Sequence, residues 1–101
     1  MKFMMKTQKI KTVKDLKDFL REFFKDQDVK VYLFGSRAEG KNTPYSDIDL
    51  AFESDEDISK KLSQLRYILE ESNLPYKVDI IDLKNTPHLK DIIKEKGKRW
   101  L

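Results

Sequence analysis

Gly35-Ser36-Arg37-Ala38-Glu39-Gly40, then Lys41 to Tyr45, then Ser46-Asp47-Ile48-Asp49-Leu50, is the stretch that sets the architecture of this sequence. Upstream, Val29-Lys30-Val31-Tyr32-Leu33-Phe34 is rich in β-formers and stops at Gly35, which predicts a strand. Gly40 to Ser46 holds Gly, Asn, Pro and Ser and reads as loop. Asp47-Ile48-Asp49-Leu50-Ala51-Phe52 alternates acid with apolar for two steps and then turns apolar, a second strand. Before the first strand, Thr12 and Asp15 have the spacing of a capping box. Val13, Leu16, Phe19, Leu20, Phe23 and Phe24 then follow a 3.6-residue period, a helix over residues 13–26 whose aromatic stripe reads as core. After the second strand, Ser54 is the expected cap of a helix with Ile58, Leu62, Leu65, Ile68 and Leu69 on one stripe, ended by Asn73-Leu74-Pro75. Tyr76 to Leu83 reads as a third strand. Residues 87–97 read as a last helix, with Pro87 at its start and Gly97 as its stop. The predicted order is α-β-β-α-β-α, an α/β (α+β) fold with a small mixed sheet and packed helices.

The whole chain is 101 residues, one domain's worth, with no repeat and no Gly/Ser linker. Zero cysteines exclude a disulfide scaffold, a cysteine nucleophile and a thiolate metal site. A single histidine, His88, excludes a histidine-rich zinc centre and reads as a surface or helix-start residue. No apolar run approaches the ~20 residues of a membrane span. Met1 to Lys6 is too lysine-broken for a signal peptide, so a cytoplasmic protein is expected. The net charge is +3, from 21 basic and 18 acidic residues. Its excess lies in a basic N-terminal segment, residues 1–11, which reads as solvated rather than nucleic-acid binding because no arginine or aromatic pattern accompanies it.

The chemistry sits in the acids. Asp47 and Asp49 are two apart on a strand, so both carboxylates are expected on one face, with Ile48 and Leu50 buried on the other. Aspartate is depleted in strands, and two on one face repel unless a positive charge lies between them. Hard oxygen ligands of this kind suit Mg²⁺ or Mn²⁺. Asp79 lies in the Val/Ile-rich third strand, within reach of the pair if the registers match; on pattern alone it reads equally as a strand-edge charge. Asp82 has the opposite parity. Gly35-Ser36 directly after a strand reads either as a phosphate cradle or as an ordinary turn. Gly35 to Asn42 nearly matches a P-loop. Asn42 replaces the required hydroxyl, however, and the chain leads into a strand instead of a long helix, so the P-loop is rejected.

Taken together, Gly35-Ser36, Ala38, Gly40 and Ser46-Asp47-Ile48-Asp49-Leu50, with the later Val78-Asp79-Ile80-Ile81-Asp82-Leu83, closely resemble the signature of the polymerase-beta-like nucleotidyltransferase superfamily, and in size and spacing its minimal nucleotidyltransferase branch. The likeness covers about residues 13–97. It implies that fold, two Mg²⁺ ions held by the catalytic Asp47, Asp49 and Asp79, and ATP as substrate with its phosphates near Gly35 and Ser36. Arg37 reads as a nucleotide-binding residue adding charge stabilisation, or equally as one that caps or faces a partner. Members of the branch are commonly antitoxins paired with HEPN-domain RNase toxins, and are similar to adenylyltransferases that place AMP on a toxin tyrosine. The resemblance therefore implies a hetero-oligomer with such a toxin. A non-catalytic antitoxin that neutralises by binding is the rival; a transferase acting on tRNA ends would need a further domain for the RNA. Glu39 and Tyr45 depart from the family pattern, at positions often basic or small. Trp100 and Leu101 read as a fold-closing contact or a partner anchor.

Overall fold

The computed structural model describes residues 10–40 and 46–101. The expectations for residues 1–9 of the basic segment and for Lys41 to Tyr45 lie outside that range. Helix α1, Val13–Phe23, starts as the capping box requires: Asp15 N donates to Thr12 Oγ1 (3.1 Å) and Thr12 N to Asp15 Oδ2 (3.2 Å). A third donor, Lys11 N, joins the same carboxylate. The helix ends earlier than its periodicity suggests, because Phe24 leaves helical geometry while keeping its side chain in the core.

Strands β1, Val29–Phe34, and β2, Ile48–Ser54, pair antiparallel, with Val31 opposite Phe52 and Phe34 opposite Asp49. Helix α2, Ser59–Glu70, then carries the chain across to β3, Val78–Asp82, which runs parallel to β2. A 3₁₀ turn, Pro87–Leu89, leads into α3, Lys90–Lys96. A short strand β4, Lys98–Arg99, pairs antiparallel with β1, so the sheet order is β3-β2-β1-β4. All six expected elements are present, and β4 is additional. Its two polar residues carry no strand pattern of their own.

Two local readings are corrected. Ser54 does not cap a helix. It ends β2, its hydroxyl donating to Asp28 O (2.9 Å) and accepting from Glu56 N (3.1 Å). No side chain caps α2, whose N-cap is Ile58; one residue earlier, Asp57 accepts from Ser59 N at 3.0 Å. Pro87 opens the 3₁₀ turn rather than the α-helix itself. Gly97 does stop α3, for a reason of space: a β-carbon there would stand 2.5 Å from Ile93 O and 2.9 Å from Leu33 O.

Both faces of the sheet are covered. Val31, Leu33, Ile48, Leu50 and Phe52 pack with Leu16 and Leu20 of α1 and Leu62 and Leu65 of α2 in the main core. Tyr32, Ala51, Leu83 and Ile93 form a smaller core beneath α3 on the opposite face. This accounts for the apolar run at Leu50-Ala51-Phe52, since a central strand covered on both sides loses its alternation. Along β2, Asp49, Ala51 and Glu53 share the α3 face. Lys90 and Lys94 of α3 reach Glu53 Oε2 at 3.0 and 3.1 Å, and the Tyr32 hydroxyl lies 3.4 Å from Oε1. The helix is thereby held over the Glu53 end of the strand, and Asp49 lies at the other end. Among the described residues, no helix is long and apolar enough to cross a membrane.

Candidate active site

The topology brings three strand ends together. Because β2 is antiparallel to β1 and parallel to β3, the C-terminal end of β1 lies beside the N-terminal ends of β2 and β3. Gly35, Ser46-Asp47, Asp49 and Asp79 therefore meet at one edge of the sheet from distant parts of the chain. Asp49 sits between Phe34 on one side and Asp79 on the other, in register with both. The register condition on which Asp79's role depended is met. Ile48 N donates to Lys77 O at 2.9 Å and fixes the β2–β3 junction immediately before the two acids.

Burial, a side-chain hydrogen bond with Asp79 and the negative charges of Asp79 and Asp47 all push the Asp49 carboxyl above its ordinary value. Lys77 Nζ lies 3.8 Å from Asp79 Oδ1, with both side chains largely in solvent, a weak offset to that crowding. Asp47 is exposed and just ahead of β2, and it reaches Asp49 through its charge. Among the described residues, no three His, Cys, Asp or Glu side chains stand close enough together to hold one ion as they lie. The close pair is Asp49 and Asp79.

Gly35 has a role that its sequence does not announce. Its φ is +78°, and a β-carbon on it would stand 2.4 Å from Asp49 Oδ2. The glycine makes room for the carboxylate as well as turning the chain. Gly35 O then accepts from Ala38 N (3.1 Å) and Glu39 N (3.2 Å), so the segment after Ser36 is one tight turn and not a helix. Chain direction also bears out the rejection of a P-loop: the element after this turn is strand β2. Asp82 lies off the face of Asp79, as its parity requires, and caps a turn by accepting from Lys84 N at 3.0 Å. His88 is exposed in the 3₁₀ turn.

Arg37 is engaged with the protein itself. Its Nε and Nη2 both donate to Ser46 O, at 3.2 and 3.1 Å, and its guanidinium lies 4.7 Å from the centre of the Tyr76 ring. No motif marks Tyr76, which the sequence offers only as the start of a strand; β3 begins two residues later, at Val78. Tyr76 lines a cavity of about 800 Å³ together with Phe34, Asp49, Lys77, Asp79 and Ile81. That volume lies within the range of small-ligand sites.

A mixed sheet with helices on both faces thus presents a crowded carboxylate pair at its strand ends. The chain matches the nucleotidyltransferase domain family over residues 13–99, and it belongs to that family. It is 42% identical over 60 residues to the "Probable protein adenylyltransferase MntA" of Haemophilus influenzae, covering 58% of this chain and 53% of that one. The match thus spans about half the length of that relative. Against the Methanocaldococcus jannaschii protein MJ1379, likewise named provisionally as a protein adenylyltransferase, it is 38% identical over 95 residues, covering 85% of this chain and 95% of that one. Solved structures agree on the fold. A toxin–antitoxin crystal structure with AMP-PNP superposes with a TM-score of 0.57 at 23% identity, over 84% of this chain and 72% of that one. A Sulfolobus solfataricus nucleotidyltransferase structure gives 0.51 at 25% identity, over 95% and 84%.

Proposed function

We propose that this nucleotidyltransferase moves AMP from ATP to a hydroxyl of a partner protein, a tyrosine of a HEPN-domain RNase toxin, and so acts as the antitoxin of a cytoplasmic pair. The observation that carries the reading is the in-register Asp49–Asp79 pair, crowded enough to raise Asp49. Like charges forced together on hard oxygen ligands are the donor set that a divalent cation relieves. On this reading Asp49 and Asp79, joined by Asp47 on ligand binding, hold two Mg²⁺ ions. When bound, such ions neutralise triphosphate charge and stabilise the oxygens entering and leaving the α-phosphorus. Support for a protein acceptor comes from the names of the two relatives and from the toxin–antitoxin neighbour.

In this scheme the acceptor oxygen attacks the α-phosphorus, a new P–O bond forms, and the bond to the bridging oxygen of the β-phosphate breaks to release pyrophosphate. The hydroxyl proton passes to Asp79, whose side chain is 45% exposed, and from there to solvent. Gly35 and Ser36, on the turn facing Asp49, position the β- and γ-phosphates. Phe34 and Ile81, on the face of the sheet that carries Asp49 and Asp79, hold water away from one side of the cavity.

The test is intact mass spectrometry of the cognate toxin after incubation with ATP, Mg²⁺ and this protein. One or more additions of ~329 Da are expected, the mass of AMP transferred with loss of pyrophosphate, and Asp47→Asn or Asp49→Asn should abolish them. A toxin silenced with no change of mass would overturn the catalytic reading in favour of neutralisation by binding.

A further inference from the structure

We infer that Arg37 and Tyr76 form a clamp that positions the Ser46-Asp47 entry to β2 against the entry to β3, rather than a contact to the triphosphate. Arg37 follows β1, Ser46 precedes β2 and Tyr76 precedes β3, so one side chain ties together the three strand ends that carry the candidate site. Two guanidinium nitrogens on a single carbonyl oxygen, at 3.2 and 3.1 Å, fix that carbonyl in the plane of the fork. The next residue along is Asp47. The same guanidinium lies 4.7 Å from the Tyr76 ring centre, and its planar face suits that stacking. Ile48 N on Lys77 O, at 2.9 Å, locks the neighbouring residues of the same two segments. The clamp thus begins one residue before Asp47 on β2 and three before Asp79 on β3.

Arg37 is half-buried, and two of its nitrogens are committed to this internal partner. A phosphate-binding arginine presents its fork to the ligand; this one presents it to the backbone. Asp47 is exposed, with little packing around its side chain to hold it. Its aim depends on the backbone that Arg37 grips. Misplacing a reacting group by about 1 Å can lower a rate by around a hundredfold, so a positioning role here is felt in turnover more than in nucleotide binding.

For its kinetic arm this inference rests on the transferase reading; its structural arm does not. In the structural arm, hydrogen–deuterium exchange is followed in peptides spanning residues 46–49 and 76–79 of the full chain. Arg37→Lys and Tyr76→Leu should both speed exchange there and leave α1 and α2 protected, whereas Tyr76→Phe, which keeps the ring, should match the parent. In the kinetic arm, Arg37→Lys should lower kcat by roughly ten- to a hundredfold with KM for ATP nearly unchanged. Tyr76→Leu should reproduce part of the loss, and the double variant should be no worse than Arg37→Lys alone. A raised KM for ATP with kcat intact, or a silent Tyr76→Leu, would make Arg37 a nucleotide ligand and overturn the clamp. Unchanged exchange in both single variants would overturn it as well. If the parent protein transfers nothing, the transferase reading fails and the exchange measurement alone decides the clamp.

Discussion

At Gly35 two demands coincide, and they can be separated by comparison with Gly40. Both glycines have positive φ, +78° and +73°, so alanine at either position carries the left-handed strain of about 1–2 kcal/mol. Only at Gly35 would the new β-carbon also meet the Asp49 carboxylate; around Gly40 nothing among the described residues lies within 4 Å. Gly35→Ala is therefore expected to abolish transfer beyond detection while lowering stability, whereas Gly40→Ala lowers stability by a similar amount and keeps most of the activity. Thermal melts beside AMP-transfer assays check the pair. Equal losses of activity would mean that strain, not Asp49, is what Gly35 relieves. At this scale the acids were legible, because Asp47-Ile48-Asp49 writes its parity into consecutive residues. Gly35 was legible as a turn or a phosphate cradle but not as room for Asp49, since the carboxylate it accommodates belongs to another strand. For Arg37 the capping alternative was legible but its partner was not: a bond to a backbone carbonyl leaves no residue type to recognise.

Among the elements, α3 shows how a helix too short to be stable alone is held in place. It has two turns, and isolated helices of that length do not persist in water. Ile93 anchors it to the smaller core, and Glu53 of β2 draws Lys90 and Lys94 onto the sheet. Burial by itself would raise the Glu53 carboxyl, whose side chain is only 17% exposed. The hydrogen bonds and charges of Lys94 and Lys90 outweigh that, holding it below its ordinary value of 4.5. A lowered carboxyl stabilises the fold above its unfolded value, and that contribution is lost as pH falls through the folded one. Glu53→Gln is accordingly expected to cost about 1 kcal/mol at pH 7, discounted for the half-exposed lysines. The gap to the parent should close as pH drops below 4.5. Urea melts at several pH values measure it; a gap that persists undiminished in acid would assign the effect to packing instead. The capping box of α1 and the stripe of α2 were readable because their partners lie within one turn. Ser54 was misread because a serine after a strand looks the same whether it serves the strand or the next helix, and α2 begins without a side-chain cap.

Across the whole molecule, the sheet is closed at one edge by residues that carry no strand signal. Trp100 N donates to Val31 O at 2.7 Å, Leu101 N to the same oxygen at 3.3 Å, and both side chains pack on the main core. Lys17 Nζ lies 5.7 Å from the Trp100 ring centre. Of the two roles expected for this pair, the fold-closing contact is the one observed. Trp100→Ala should then cost about 2 kcal/mol, less than full burial because the ring is half-exposed, and lower the Tm by roughly 10 °C. A variant that melts like the parent but fails to hold the proposed toxin partner would reassign Trp100 to that partner. Strand order also governs the timing of synthesis. Among the described residues β1 is the first strand made and β4 the last, so β1 waits with one bare edge while everything between them is translated. At about 5–20 residues per second the wait lasts several seconds, during which that edge can template pairing with another nascent chain. The edge is covered only once Lys98 to Leu101 have emerged, so the pairing that spans the greatest length of chain is the one that completes the sheet.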